Sequence, residues 1–217
     1  MPGASESDLA AMPLGARDAL LLDLRERLFG HELAIVATCP RCAEQLEAGF
    51  SLDDVRVARP PESSAWGDAA DTSAAIGGYR VTVRAPATAD LLAIPAGADA
   101  ATAHAILLDR CIEAQDPAGR PIAGHALPPI ITQPIVDDIA RANPQAVVEL
   151  DLCCTGCAHR FGAVFDIAVF LLREIHRWAR QLLSNIDSLA SAYGWREADI
   201  LALSPRRRQI YAEMVAP

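Results

Sequence analysis

Four of the six cysteines in this chain fall into two Cys-x-x-Cys pairs, Cys39 with Cys42 in TCPRC and Cys154 with Cys157 in CTGC. The spacing sets two sulfurs on one tight turn, and two such turns supply the four thiolates of a closed tetrahedral site. A site with four thiolates has no open position for water, so it stabilises a fold and hydrolyses nothing. The expectation is a structural Zn2+ on Cys39, Cys42, Cys154 and Cys157. Cys153 adjoins the third of these, but strand alternation turns it to the opposite face, which favours Cys154. Knuckles of this kind often carry Gly after the second cysteine. Here Ala43 and Ala158 stand there, and alanine at positive φ costs roughly 1 kcal/mol. Two unrelated buried or redox pairs are the alternative.

The other chemistry-bearing residues do not converge. Cys111 lies on an apolar helix face and reads as a core thiol. His159 is surplus to a four-cysteine set and is expected to donate to a sulfur or to sit in solvent. His31, His104, His125 and His176 are scattered and read as structural or exposed. Asp53 with Asp54, and Asp137 with Asp138, are neighbours whose side chains face apart, which suits a solvated face. No P-loop, Rossmann glycine pattern, nucleophile elbow or metalloprotease helix is present, so the chain is expected not to be an enzyme. Arg206, Arg207 and Arg208 fall in the first turn of the last helix, where the macrodipole disfavours positive charge. A contact with an acidic partner or phosphate accounts for them; pairing with Glu197, Asp199 or Glu213 is the alternative. With Trp195 they make the candidate partner surface.

The elements that must position these residues are legible in the periodicity. An amphipathic helix over 14–29 ends at Gly30, and strands at 31–38 and 43–57 flank the first knuckle. A Pro/Ser/Ala/Gly loop covers 59–78, with turn chemistry at Gly77 and Gly78. A strand over 79–85, helices over 90–93 and 101–114, and a loop over 115–129 follow. A short helix then carries Pro134 near its first turn and stops at Asn143 and Pro144. Val148, Leu150 and Leu152 alternate into the second knuckle, and 159–165 leaves it. From Asp166 an apolar stripe through Ile167, Leu171, Ile175, Trp178, Leu182, Ile186, Leu189 and Tyr193 predicts a helix of about seven turns. Gly194 ends it, a short helix follows, and Ser204 and Pro205 start the last one. No repeat is evident beyond the two knuckles.

The fold class expected is α+β: split zinc-ribbon-like β hairpins with an inserted αβ segment, a long C-terminal helix and a terminal helical hairpin. The expected organisation is a single domain over 1–217. Within it, 31–57 and 146–165 form the split ribbon, 58–145 the insertion, and 166–217 the helical segment. No apolar run reaches the length of a membrane span and no leader pattern is seen, so the chain is expected to be cytoplasmic. A net charge of −9 argues against general nucleic-acid binding. The charge is uneven: the first 172 residues carry 12 Arg against 23 acids, and the rest 7 Arg against 5 acids.

The segment from CTGCAHRFGAVF to SPRRRQIYAEMV resembles the C-terminal part of a bacterial family from phage-tail-like gene clusters, akin to the base plate proteins of T-even phages. The matching residues are Phe161, Trp178 and Ala179, 192–195, 200–205 and Arg206 to Arg208. PLGARDALLLDLRERLFG and YRVTVRAPATADLLA are similar to that family too. The family usually has Gly after each second cysteine, often Trp where Leu172 stands, and commonly His where Asp187 stands. The resemblance implies a component or assembly factor of the base plate of a contractile tail or injection particle. Its partners would be other base plate or tail proteins, with no small-molecule substrate and no membrane, and the protein would act in the bacterial cytoplasm or within an assembled particle. A zinc-ribbon nucleic-acid or transcription-type adaptor is the alternative.

Overall fold

From its N-terminal end the described chain builds helices first. Ser5 and Asp8 cap each other at the start of α1 (Glu6–Ala11), and α2 (Leu14–Phe29) ends where Gly30 takes a φ of 88°, a conformation that suits glycine. A first hairpin pairs β1 (Glu32–Thr38) with β2 (Gln45–Ser51), and one helical turn, α3 (Leu52–Val55), follows it. β3 (Thr72–Ile76), β4 (Tyr79–Val83), β5 (Ile112–Gln115) and β6 (Pro121–Ile122) form an antiparallel sheet in that order. α4 (Thr88–Leu92) and α5 (Ala100–Cys111) lie between β4 and β5, and α6 (Pro129–Ala142) comes after β6. A second hairpin, β7 (Val148–Cys153) with β8 (Arg160–Phe165), leads to α7 (Ile167–Tyr193), α8 (Glu197–Ala202) and α9 (Pro205–Val215). The computed structural model describes residues 3, 5–57 and 72–215. The chain divides into two compact units, Met1–Ile167 and Ala168–Pro217. Among the described residues no helix is long and apolar enough to cross a membrane.

The two hairpins have one register. Leu33 pairs with Phe50 and Val148 with Phe165; Ala37 pairs with Leu46 and Leu152 with Phe161. Each position of the second hairpin is its counterpart in the first plus 115, since 154 − 39, 157 − 42 and 165 − 50 all give 115. The repeat seen in the sequence as two knuckles therefore extends over whole hairpins, kept in the burial alternation rather than in residue identity. Phe50 and Phe165 occupy equivalent positions and meet edge to face, ring centroids 5.6 Å apart, an arrangement aromatic pairs prefer. Buried Gln145 ties the exit of the first hairpin to the entrance of the second. Its Nε2 donates to the Val55 carbonyl at 3.0 Å and its Oε1 accepts from the Val57 N–H at 2.9 Å.

The central sheet buries Val81, Val83 and Ile112 in one core with Ile131 and Ile135 of α6, each such side chain stabilising by roughly 1.5–3 kcal/mol. Gly77 and Gly78 turn β3 into β4 with φ of 59° and 85°, the two-residue turn that matches strand twist. Gly124, in a single 3-10 turn, passes so close to α5 that a Cβ there would lie 2.4 Å from the Leu108 carbonyl oxygen. Backbone cannot yield as a side-chain tip would. Gly124→Ala is expected to cost roughly 1–3 kcal/mol, read as a lower urea midpoint at unchanged slope.

Asp90, 1% exposed, joins three stretches of this unit. Arg84 grips both its oxygens at 2.6 and 2.7 Å, Arg110 Nε donates at 2.8 Å, and the Ala87 N–H donates at 2.9 Å. Burial alone would raise the carboxyl; the Arg84, Ala87 and Arg110 donors outweigh it and hold Asp90 well below the usual carboxylate range.

In the second unit Gly194 closes α7 at a φ of 67°, its N–H donating to the Ala190 carbonyl at 2.9 Å. Ile186, Leu189 and Ile200 form the buried centre where α7 and α8 meet, with Trp195 and Tyr211 against it.

Several elements differ from the sequence reading. Of the loop expected over 59–78, residues 59–71 lie outside the described residues, whereas 72–76 pair with β4 as a strand. Leu52, read as an apolar member of the strand over 43–57, instead starts α3, where the Asp54 carboxylate accepts from both the N–H and the hydroxyl of Ser51. The helix expected over 101–114 stops at Cys111; Ile112 and Ala114 alternate into the buried face of β5, opposite Val83 and Val81. β6 lies within the loop expected over 115–129. α6 begins at Pro129, where a missing N–H is harmless, so Pro134 stands inside the helix rather than in its first turn.

Candidate metal centre

Each knuckle is built by the same backbone bonds. Cys39 donates its N–H to the Glu44 carbonyl and accepts from the Ala43 N–H; Cys154 does the same with His159 and Ala158, all four bonds at 2.9 Å. Closing so tight a turn forces the residue after the second cysteine to positive φ, and Ala43 (59°) and Ala158 (56°) both adopt it. Among the described residues these are the two non-glycine positions in that region. Ala43→Gly or Ala158→Gly is expected to stabilise the metal-loaded protein by up to about 1 kcal/mol, measurable as a higher denaturation midpoint.

The turns bring Cys39, Cys42, Cys154 and Cys157 together with all four sulfurs within 4.8 Å of one another. Cys39 and Cys157 are 3.8 Å apart and Cys42 and Cys154 3.5 Å apart. A disulfide needs about 2.05 Å. A tetrahedron with metal–sulfur bonds of about 2.3 Å has edges of about 3.8 Å. The donor set therefore fits a four-coordinate ion. Cys39 and Cys154 are buried, with Leu46 and Phe161 packed around them. Cys153, by contrast, is exposed and stands outside the four.

Electrostatics favour a cation at the centre. Burial raises the Cys39 thiol, but N–H groups of Cys42 and Arg41 and neighbouring thiols outweigh it and bring it down to about 7. The Glu44 N–H lowers Cys42, yet Cys157, Cys154, burial and Cys39 together push it up to about 12. Cys157 is raised as well: the His159 N–H and Cys42 lower it less than burial, Cys154 and Cys39 raise it. Crowded thiolates repel, so without a cation they hold protons that a bound metal must displace. The chemistry open to such a set is holding a metal ion that joins hairpins 115 residues apart.

His159 contributes its backbone N–H rather than its ring, which stacks on Phe161 at 6.2 Å. Cys111 is a buried core thiol pushed up to about 11, first by burial and then by Asp90. His125 packs its Nδ1 on Asp109 at 2.8 Å, and His31 bridges Glu26 and Asp53. Asp90 with its arginines is the site that the sequence reading missed, because its partners Arg84 and Arg110 are brought to it only by the packing of the fold.

The residues of the candidate partner surface lie in the second unit, Trp195 between α7 and α8 and the three arginines at the start of α9. Arg207 reaches the Tyr211 hydroxyl at 3.2 Å with its guanidinium 5.6 Å from the ring centroid, and Arg208 donates to the Ile200 carbonyl at 3.4 Å. Arg206 is exposed. Trp195 is half-buried between Tyr193, stacked at 4.6 Å, and Tyr211, edge-on at 5.1 Å. The run thus pairs with an aromatic ring and a helix-end carbonyl, rather than with Glu197, Asp199 or Glu213.

No curated protein and no solved structure matches this chain. A family model described as T4 bacteriophage base plate protein matches residues 3–115. That stretch includes the first knuckle, the Gly77 and Gly78 turn and the Asp90 cluster, and it is just over half of the chain. The protein belongs to the T4 bacteriophage base plate protein family.

Proposed function

We propose that this chain is a non-enzymatic base plate component or assembly factor of a contractile phage-tail-like particle, with a structural zinc ion on Cys39, Cys42, Cys154 and Cys157. The observation that carries the reading is the family match over residues 3–115, joined to a sulfur cluster of tetrahedral dimensions. A base plate protein is a building part, and a closed four-thiolate site stabilises without offering a position for reacting water. In this reading 31–57 and 146–165 are two halves of a split zinc ribbon, 58–145 is the segment inserted between them, and 166–217 is the helical extension. Arg206, Arg207, Arg208 and Trp195 form the partner-facing surface, acting in the bacterial cytoplasm or in the assembled particle. Arg206 supports this by being exposed with no counter-charge among the described residues; Arg207, Arg208 and Trp195 shape the surface around it.

The test is purification of the tagged protein from its native host, with metal analysis of the same sample. Sheath, tube or base plate proteins co-purifying with about one zinc per chain is the expected result. Nucleic acid in their place would overturn the base plate reading, and a folded, metal-free protein would overturn the zinc site. Arg206→Glu is expected to leave the fold intact and to block incorporation into particles; normal particle yield from that variant would remove the partner role of the surface.

A further inference from the structure

The polar side of α7 carries a row of basic side chains with nothing to answer it. Arg173, His176, Arg177 and Arg180, with Gln181 and Ser184, line a recess of about 540 Å³, and all six are exposed. Buried Leu171, Ile186 and Leu189 belong to the opposite side of the helix. Every lining side chain can donate hydrogen bonds, and none is acidic. None of the three arginines has an ion pair among the described residues. Glu174, the single acid between Ile167 and Ile186, lines no part of the recess. Like charges at spacings of four and three weaken a helix, so the row destabilises α7 without an ion pair to offset it.

We propose that this row is a docking face for a helix of another protein that presents carboxylates at matching intervals. Arg173 and Arg180 are 7 residues apart, about 10 Å along the axis, and carboxylates at every third or fourth position of a second helix recur with the same rise. Guanidinium groups take carboxylates through two parallel hydrogen bonds each. A second copy of this chain does not supply such a row: no described helix carries three acids at spacings of three and four. In α2 the exposed Asp23 and its neighbour Glu26 both hold Arg56, and in α6 Asp138 holds Arg141. Nucleic acid is opposed by the chain's net charge of −9.

The probe is a labelled synthetic alanine-rich helix of about six turns with glutamates along one face, titrated against the full chain by fluorescence anisotropy. Saturable binding that weakens with added salt is expected. A peptide of the same composition with its glutamates spread around the helix should bind at least about tenfold more weakly, because it cannot present the row. The triple variant R173E/R177E/R180E should lose the acidic peptide by a similar factor and should instead accept the same peptide with lysine for glutamate. Arg206→Glu should bind as the parent does. Helicity by circular dichroism guards against misfolding, and the neutral R173Q/R177Q/R180Q variant, built from good helix formers, gives an independent loss of binding. No binding of the acidic peptide, equal binding of the spread-charge peptide, unchanged binding by the reversed variant, or loss on Arg206→Glu would each overturn the proposal. So would tighter binding of an RNA or DNA oligonucleotide, or self-association in sedimentation that is lost on the same three substitutions. None of these outcomes depends on whether the protein works in a base plate.

Discussion

Cys39→Ser is expected to strip the protein of its metal and to lower its melting temperature by about 10 °C or more. On the proposed zinc reading, Cys39 is one of two buried ligands in a cluster two of whose members come from a hairpin 115 residues away. A serine hydroxyl cannot supply the thiolate, and three remaining sulfurs hold zinc far more weakly. The pairing of the two hairpins then rests on the Phe50 and Phe165 rings and on Gln145. Metal content by elemental analysis and a thermal melt on the same sample read both effects; unchanged melting with metal retained would refute the site. Acid should act in the same direction. Cys42 and Cys157 are raised, so the metal competes with protons and occupancy falls as pH falls.

Asp90→Ala is the second large effect, a loss of about 3–5 kcal/mol, because it leaves Arg84, Arg110 and the Ala87 N–H facing an empty acceptor site. The site is fully satisfied as it stands, which is when removing one member costs most. Chemical denaturation of the metal-loaded protein checks the magnitude, and a change under 1 kcal/mol would sink the argument. Asp90 also sets a pH dependence of known sign. Its carboxyl is lower in the folded than in the unfolded chain. The stabilisation is therefore fully present above the ordinary carboxylate value of about 4, and is lost as pH falls through the lower, folded value. Asp90→Asn should flatten that part of the stability profile.

The parts of this architecture that announce themselves in sequence are those fixed by local rules. The knuckles follow from Cys-x-x-Cys spacing, α2 and α7 from apolar period and a closing glycine, and the turn before β4 from Gly77 and Gly78. What hid was decided by distant partners. Ile112 and Ala114 extend a helical pattern until β4 claims them, and TSAAI reads as loop until YRVTV pairs with it. The reach of the hairpin repeat was invisible because Leu33 answers to Val148 and Leu46 to Phe161, residues alike in burial and unlike in identity. Asp90 hid for another reason: nothing local to a lone aspartate foretells that two arginines, 6 residues before it and 20 after it, will converge on it. The arginine run was legible as an anomaly against the helix dipole, but Tyr211 and the Ile200 carbonyl, which engage two of its members, follow only from the packing of α8 and α9.

An ion gripped by both knuckles would make a lasso of everything between Cys42 and Cys154, 112 positions apart. Tying a loop of that size removes chain entropy worth about 4–5 kcal/mol from the unfolded state. The dependence on length is logarithmic, so doubling the loop would alter the closure term by only about 0.6 kcal/mol. The noose is thus nearly indifferent to how much chain it encloses. A protein tied this way can lengthen or shorten its enclosed segments, residues 58–71 among them, while the knot keeps almost all of its hold.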